Sequence, residues 1–269
     1  MTTTALRDAT RLPALSGLLF DLDGVLTPTA EVHMRAWARL FSDYLTSRGD
    51  DKPYTEQDYF DHVDGKPRYD GVRDMLASRG ITLPEGTPDD SPDLETVCGL
   101  GNRKNSVFAA ELQENGVTPY PGSVAFLDRA IASGYRVAVV SSSRNAVPVL
   151  KAAGLRDRFE HIVDGEVAAA AQLPGKPAPD TYLEGAALLG LTAGECVVIE
   201  DAQSGVDAGR RGAFGLVVGV NRGVGARALL DNGADFVVDD LDELVDSLAK
   251  PTRGDTPTAA SSPAPEHSA

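Results

Sequence analysis

The sequence has almost no cysteine. Cys98 and Cys196 are the only two among 269 residues, and their separation fits neither a metal-binding spacing nor a disulfide framework. We therefore expect two buried, reduced thiols in a cytoplasmic protein. Long apolar runs are missing too. Residues 1–15 contain Arg7 and Arg11 but no apolar segment of the kind found in signal peptides, so we predict neither a signal peptide nor a transmembrane span.

Positive charge is also scarce. The chain has 25 Lys and Arg against 40 Asp and Glu, which gives a net charge of -15. Such a surface repels nucleic acid and anionic membranes, so we expect neither as a partner. It would repel a phosphorylated metabolite as well, so any site for such an anion has to be locally cationic.

The two ends of the chain differ from the rest in composition. We treat residues 1–15 as an N-terminal extension that precedes the first predicted strand. Residues 251–269 are rich in Pro, Ala, Ser and Thr, which cannot bury much apolar surface, and we predict a disordered tail there.

The order of the apolar segments predicts the fold class. Over residues 118–250, strands of nearly continuous Val, Ile and Leu alternate with helical patterns, which is typical of a parallel sheet covered on both faces. Residues 29–117 separate the first strand from the others and contain only helical patterns. We therefore predict an α/β fold with a doubly wound, Rossmann-like parallel-sheet core, formed by residues 16–28 and 118–250, and an inserted all-helical cap domain at residues 29–117.

Individual elements follow from the same patterns. The predicted strands are 17–20, 136–140, 162–163, 196–199, 216–220 and 236–238. The predicted helices are 30–44, 55–63, 70–79 and 94–115 in the cap, and 124–133, 146–153, 179–189, 204–211 and 241–248 in the core. A proline-broken acidic loop is expected at residues 84–93.

Polar residues follow three of the predicted strands directly. Asp21 follows the first strand, Ser141 the second, and Glu200 and Asp201 the strand at 196–199. In open α/β sheets, ligands bind in the crevice outside the carboxyl ends of the strands. Ser and Asp are common in turns, but three such clusters indicate one shared crevice.

Asp21 and Asp23 are two residues apart, so on an extended segment their side chains point the same way. Two neighbouring carboxylates repel each other unless a cation lies between them or one carries a proton. A nucleophilic carboxylate beside an acid/base carboxylate uses both states. A strand followed by an Asp-Gly turn is the alternative reading of this segment.

Asp21, Asp23, Glu200 and Asp201 would place four carboxylates in one crevice. An all-oxygen site of this kind suits Mg²⁺, which we expect as the cofactor. A hydroxyl of Ser141 or Ser142 with nearby backbone N–H groups could hold phosphate oxygens. Lys176, just before a helix, would neutralise the charge of a transferring phosphoryl group.

The segments DLDGVLT, the hydroxyl at Ser141, GKPAPD and VIEDAQSG together resemble the four motifs of the haloacid dehalogenase superfamily over about residues 16–245. The resemblance implies that Asp21 is the phosphoryl-accepting nucleophile and that Asp23 is the general acid/base. It implies that Ser141 and Lys176 bind phosphate. It also implies that Glu200 and Asp201 anchor Mg²⁺ together with Asp21 and the backbone carbonyl of Asp23.

Finer features resemble the β-phosphoglucomutase branch of that superfamily. They are the segments TAEVH with RAW, DGKPR, RKN and SSSRN, in that order. By that likeness Thr29 and His33 begin the cap beside the nucleophile loop, Arg68 and Lys104 hold the distal phosphate of a sugar phosphate, and Arg144 and Asn145 touch the substrate from the core. The substrate-binding residues implied by the likeness are Thr29, His33, Gly65, Arg68, Lys104, Ser142, Ser143, Arg144 and Asn145.

The resemblance implies a phosphomutase that interconverts β-D-glucose 1-phosphate and glucose 6-phosphate through a phosphoaspartate and a 1,6-bisphosphate. We expect a monomer. A Mg²⁺-dependent sugar-phosphate phosphatase on the same scaffold is the nearest alternative. A non-catalytic sugar-phosphate-binding module is a more distant one. The chain departs from the branch at Asp64, where a Lys precedes the cap glycine in a relative, and at Arg144, where Lys is common. Lys66 is a candidate to replace the charge missing at Asp64.

Overall fold

The computed structural model describes residues 9–248, and its centre is a six-stranded parallel sheet. The strand order is β3-β2-β1-β4-β5-β6. The strands are β1 Gly17–Phe20, β2 Arg136–Val140, β3 His161–Val163, β4 Cys196–Glu200, β5 Leu216–Val220 and β6 Phe236–Val238. β1 is central because it pairs with β2 on one side and β4 on the other. All four of its residues are buried, as the apolar run predicts.

Helices cover both faces of the sheet, which confirms the predicted doubly wound α/β fold. They are α5 Pro121–Ala132, α6 Ala146–Ala152, α7 Gly165–Ala170, α8 Asp180–Leu188, α9 Gln203–Arg211 and α10 Ala226–Asn232. Short 3₁₀ helices lie at Leu12–Ala14, Arg156–Arg158, Ala193–Glu195 and Leu241–Leu248. Two separate apolar clusters pack on the sheet, one around Phe20 and Phe126, the other around Leu19 and Tyr182.

Residues 29–117 contain four helices and no strand. The helices are α1 Thr29–Ser47, α2 Glu56–His62, α3 Arg68–Ser78 and α4 Val97–Asn115. They share a third apolar cluster that includes Trp37, Phe41 and Met75. We call residues 29–117 the helical block. Because this block has its own core, we propose that it is the predicted cap domain.

Several helix ends differ from those predicted, and local chemistry explains them. α4 begins at Val97 rather than Leu94 because the Thr96 hydroxyl accepts a hydrogen bond from the Gly99 N–H and caps the helix. α5 begins at Pro121, where the missing N–H of proline costs nothing. The short helices α7 and α10 were not predicted.

The ends of the described chain bear on two further predictions. Ala9 and Leu12, within the predicted N-terminal extension, are buried in the core. The predicted tail at residues 251–269 lies outside the described residues. Both cysteines are buried and unbonded, as expected. Among the described helices, none combines the length and apolar character needed to cross a bilayer.

Candidate active site

The carboxyl ends of β1, β2 and β4 open into one small cavity of about 70 Å³. Parallel strands present these ends at the same edge of the sheet, and the helical block covers that edge. Twelve of the predicted site residues line the cavity: Asp21, Asp23, His33, Gly65, Arg68, Lys104, Ser141, Ser142, Ser143, Arg144, Glu200 and Asp201. We call this cavity the catalytic pocket.

Lys176 lies beneath the pocket and joins two of its carboxylates. Its Nζ donates to Asp21 Oδ1 at 2.5 Å, to Glu200 Oε1 at 2.7 Å and to the Val140 carbonyl at 3.1 Å. These three bonds use all three ammonium donors. Burial alone would lower the pKa of Lys176, but the charges of Asp21 and Glu200 outweigh it and raise the pKa. The ammonium therefore stays charged and holds the nucleophile candidate in place.

Glu200 is more completely bonded than expected for a metal ligand. Oε1 accepts from Lys176 and from the Tyr182 hydroxyl at 3.0 Å, and Oε2 accepts from the backbone N–H groups of Asp201 and Ala202, both at 3.0 Å. Glu200 is the last residue of β4 and fully buried. These contacts suit an anchor for Lys176, and its predicted role as a Mg²⁺ ligand stays a prediction.

Asp21, Glu200 and Asp201 form a buried carboxylate cluster that fits a divalent cation. One oxygen from each lies within 4.8 Å of the others. Burial raises the pKa of Asp21 and of Asp201 well above the usual range, and neighbouring carboxylates add to it. Hard oxygen donors with excess negative charge are what Mg²⁺ binds. Glu200 accepts four hydrogen bonds, so Asp21 and Asp201 are the better candidates of the three to bind a cation directly.

Gly24 makes room for this cluster. Its φ is +89°, a conformation that side chains with a Cβ rarely adopt. A Cβ there would also collide with the Asp201 carboxylate. The Asp-Gly turn, which was the alternative reading of this segment, is present beside the carboxylate cluster, and it brings the loop after β1 against Asp201.

Asp23 is held by a different set of groups. Its Oδ1 accepts a hydrogen bond from the Thr29 hydroxyl, and its Oδ2 lies 3.4 Å from the donor Ser141 Oγ. His33 Nε2 lies 3.5 Å from Asp23 Oδ1. Burial would raise the pKa of Asp23, but the charge of His33 and the bond from Thr29 lower it. The two adjacent carboxylates thus have pKa values shifted in opposite directions, so their environments differ.

His33 connects Asp23 to a buried lysine of the helical block. Its Nδ1 is hydrogen-bonded to Lys104 Nζ, and its ring stacks on Phe108 with centroids 4.0 Å apart. Burial lowers the pKa of Lys104 well below its usual range, and the nearby charge of Arg68 adds to this. The Lys104 ammonium also lies over the Trp37 ring, 4.9 Å from its centroid. The contacts of His33 with Asp23 and with Lys104 therefore link α1 and α4 to the acid/base candidate.

Two arginines face each other across the boundary between the helical block and the core. Arg68 and Arg144 lie over the ring of Tyr69, at 5.8 and 5.5 Å from its centroid. Arg68 also donates to Asn102 at 3.2 Å. Both guanidinium groups border the pocket, where they supply the positive charge that an acidic protein needs to admit a phosphate.

Three predicted site residues do not line the pocket. Lys176 lies beneath Asp21, and Thr29 is buried behind Asp23. The Asn145 side chain donates to Asn105 at 2.7 Å, so it bridges the core to α4. Its predicted contact with substrate would require this bond to break.

Sequence reasoning missed Tyr59 and Tyr182 and assigned no role to Asp64. Tyr59 and Asp64 line the pocket from the helical block, and Tyr182 donates to Glu200. Lys66 does line the pocket, but its ammonium is paired with Asp74 at 2.8 Å. From sequence alone, an aromatic residue on a helix is expected to pack in the core. No local signal therefore distinguishes Tyr59 or Tyr182 from ordinary core residues.

Replacing Lys176 with Met should destabilise the fold strongly. The side chain is 1% exposed, and its removal leaves Asp21 and Glu200 buried without a cation. Breaking a buried pair in this way costs about 3–5 kcal/mol. Urea unfolding in chelator, with exposed Lys151→Met as the matched control, measures the change. A loss as small as the control's would show that Lys176 is not the cation that holds these carboxylates.

Comparisons with known proteins identify relatives of this chain. The haloacid dehalogenase-like hydrolase family model matches residues 15–212. A β-phosphoglucomutase of Mycobacterium tuberculosis (strain CDC 1551 / Oshkosh) is 49% identical over 237 residues, which are 84% of this chain and 90% of the relative. Hexitol phosphatase A of Escherichia coli (strain K12) is 30% identical over 242 residues, 89% of this chain and 96% of the relative.

A solved structure supports the same relationship. The crystal structure of a β-phosphoglucomutase from Clostridium difficile matches with a TM-score of 0.69 at 26% identity, covering 86% of this chain and 93% of that one. The family model spans well over half of the chain, and the mycobacterial relative spans most of it. This chain therefore belongs to the haloacid dehalogenase-like hydrolase family.

Proposed function

We propose that the protein is a phosphomutase that interconverts β-D-glucose 1-phosphate and glucose 6-phosphate. The observation that carries this proposal is one pocket that joins the Asp21 and Asp23 pair to cations of the helical block. The mycobacterial relative that is 49% identical is named β-phosphoglucomutase, which supports the same reaction. Formation of glucose 6-phosphate by the purified protein, given Mg²⁺ and a trace of the bisphosphate, tests it.

Asp21 and Asp23 divide the chemistry between them. The phosphorylated Asp21 gives its phosphoryl group to the 6-hydroxyl of the sugar, and Asp23 accepts the hydroxyl proton. The bisphosphate then reorients in the pocket, so that its phosphate at position 1 faces Asp21. Asp21 attacks the phosphorus at position 1, the bond to the sugar oxygen breaks, and Asp23 returns a proton to that oxygen. Asp21 ends phosphorylated again, so the cycle consumes no phosphate.

Lys176 and Ser141 stabilise the group in transfer. The Lys176 ammonium lies 2.5 Å from Asp21 Oδ1, and releasing one of its three bonds would free a donor for a phosphoryl oxygen. Mg²⁺ held by Asp21 and Asp201 would neutralise the charge that develops on the phosphoryl oxygens. Most of the rate acceleration then comes from positioning and charge neutralisation.

The helical block limits hydrolysis. A phosphoaspartate open to water hydrolyses, so a mutase has to close over its substrate. The Ser142 hydroxyl donates to the Gly65 carbonyl at 2.8 Å, and the Ser204 hydroxyl donates to the Asp64 carbonyl at 3.0 Å. These two bonds join the block to the core at the pocket, and they support its role as a cap.

Replacing Arg68 with Ala should lower mutase turnover far more than hydrolysis of a small aryl phosphate. If Arg68 grips the non-reacting phosphate, that binding energy closes the cap and orients the sugar hydroxyl. An aryl phosphate has no second phosphate to hold. We expect about 10²-fold loss of mutase turnover, the effect of a misplaced substrate, with aryl phosphate hydrolysis within about threefold of wild type.

Both rates should be measured on wild type, on Arg68→Ala and on Arg73→Ala. Arg73 lies on the same helix but does not line the catalytic pocket; it pairs with Asp70 and Glu85. Phosphate release per isomerisation should rise only in Arg68→Ala, because an imperfectly closed cap admits water. Equal losses of both activities would remove Arg68 from this role.

A sugar-phosphate phosphatase is the second candidate. It is favoured by the similarity to hexitol phosphatase A, a relative whose sequence this chain matches over nearly its full length. The same residues would serve, with water in place of the sugar hydroxyl. Arg68 at the pocket favours the mutase, since a second phosphate position explains its charge. We further propose a cytoplasmic monomer.

A further inference from the structure

Among the residues that line the catalytic pocket, Asp64 is the only carboxylate that the helical block supplies. Asp21, Asp23, Glu200 and Asp201 come from the core or the loop after β1. An acidic residue on the lid of a site that receives a phosphate is unexpected, since it repels the ligand. Asp64 therefore needs an explanation that phosphate binding does not give.

The position of Asp64 is well determined by its neighbours. Its N–H donates to the Tyr59 carbonyl at 2.9 Å, and its own carbonyl accepts from Ser204 Oγ at 3.0 Å. The next residue, Gly65, has φ of +68°, and a Cβ there would lie 2.9 Å from the Ala202 Cβ and collide with Ser204 Oγ. The backbone at Asp64 thus presses on the segment directly after Asp201.

Asp64 shares the catalytic pocket with the core carboxylates, and burial disfavours its charged form. Burial raises the pKa of Asp64 to about 7, despite a bond from the Tyr59 hydroxyl, and the charge of Glu200 contributes. After burial, Asp64 is the largest cause of the raised pKa of Asp201. A carboxylate of the helical block and a carboxylate of the core that line one pocket are unfavourable neighbours when both are charged.

We propose that Asp64 is an outer-sphere partner of the divalent cation held by Asp21 and Asp201, so that metal binding and closure of the helical block favour each other. This inference rests on the metal site of the proposed function. Asp64 lies outside the cluster whose oxygens lie within 4.8 Å of one another, and a carboxylate in the outer sphere acts on a cation through a bound water. A cation bound by Asp201 attracts the Asp64 carboxylate, and this attraction offsets the repulsion between the two carboxylates.

The coupling works in both directions. Any ligand that closes the block brings Asp64 to the metal and tightens metal binding, and the metal favours the closed arrangement by the same factor. Loading of the cation would then prepare the pocket for substrate. A sugar hydroxyl is another possible partner for the carboxylate, and in that case metal affinity would not depend on Asp64.

The test is Mg²⁺ affinity without substrate, measured by isothermal titration calorimetry on the full chain. Asp64→Asn should weaken Mg²⁺ binding about tenfold, as loss of an outer-sphere partner does. Asp61→Asn is the matched control: it removes the same charge from an exposed residue nearby, whose carboxylate accepts from Gln57, and it should change affinity less than twofold.

Hydrogen exchange supplies a second readout of closure. Mg²⁺ should slow exchange at the backbone amides of residues 63–66 in wild type and in Asp61→Asn, but not in Asp64→Asn. If Asp64→Asn fails to fold, Tyr59→Phe removes the phenol that donates to Asp64 and should reduce Mg²⁺ affinity about threefold, less than the roughly tenfold loss expected when the outer-sphere partner itself is removed.

The outcomes separate this inference from the proposed function. Wild-type affinity and wild-type protection in Asp64→Asn would overturn the inference and leave the metal site intact. Weaker Mg²⁺ binding with unchanged protection would overturn the coupling. A wild type that binds no Mg²⁺ at millimolar concentration would overturn the metal site of the proposed function itself.

Discussion

Replacing Asp21 with Asn should leave a folded protein whose mutase turnover falls by about 10⁴-fold or more, as loss of a covalent nucleophile does. The amide cannot accept a phosphoryl group, so no phosphoenzyme forms. Asn keeps the size of the side chain and an oxygen that can accept from Lys176, whose Nζ lies 2.5 Å from Asp21 Oδ1. The change also removes one of the mutually repelling carboxylates in the cluster.

Two measurements check this together. Steady-state turnover gives the size of the loss, and transfer of radiolabelled phosphate to the protein reports the phosphoenzyme directly. Exposed Asp157→Asn serves as the matched control and should behave as wild type. A variant at Asp21 that keeps even a tenth of wild-type turnover would remove it as the nucleophile.

Removing the metal should abolish activity, and Mg²⁺ should restore it. Without a cation, Asp21 and Asp201 repel each other and the incoming phosphate, and burial strengthens that repulsion because water cannot screen it. Asp201→Ala deletes a ligand with freer oxygens, so we expect at least about tenfold more Mg²⁺ for half-maximal activity, in line with losses from disturbed metal sites.

Activity titrated with Mg²⁺ after chelator treatment gives both results. Asp242→Ala removes an acidic residue of the last 3₁₀ helix, away from the pocket, and controls for net charge. Full turnover in excess chelator would end the metal hypothesis. Unchanged Mg²⁺ dependence in Asp201→Ala would show that Asp201 does not bind the metal.

The core of the fold was predictable because its signals are local. Buried parallel strands read as short apolar runs, and β2, β5 and β6 have the predicted bounds. The polar residue after each strand is equally local, and sheet topology then brings Asp21, Ser141 and Asp201 to one edge. The candidate catalytic centre therefore follows from the order of residues and one rule about parallel sheets.

The contacts around that centre were not predictable, because they join residues far apart in the chain. The hydrogen bond from Tyr182 saturates Glu200 and makes it an anchor for Lys176. The placement of Asp64 against the segment after Asp201 depends on how the helical block sits on the core. No spacing along the chain encodes either contact, so the sequence alone suggested only that Asp64 was unusual.

Phosphorus NMR of the purified protein with Mg²⁺, β-D-glucose 1-phosphate and a catalytic amount of glucose 1,6-bisphosphate tests the central claim most directly. Substrate, product, bisphosphate and free phosphate give separate signals in one experiment. We predict that the 1-phosphate signal is replaced by that of glucose 6-phosphate, with inorganic phosphate staying near its starting level. Release of inorganic phosphate without glucose 6-phosphate would contradict the mutase and identify the protein as a phosphatase.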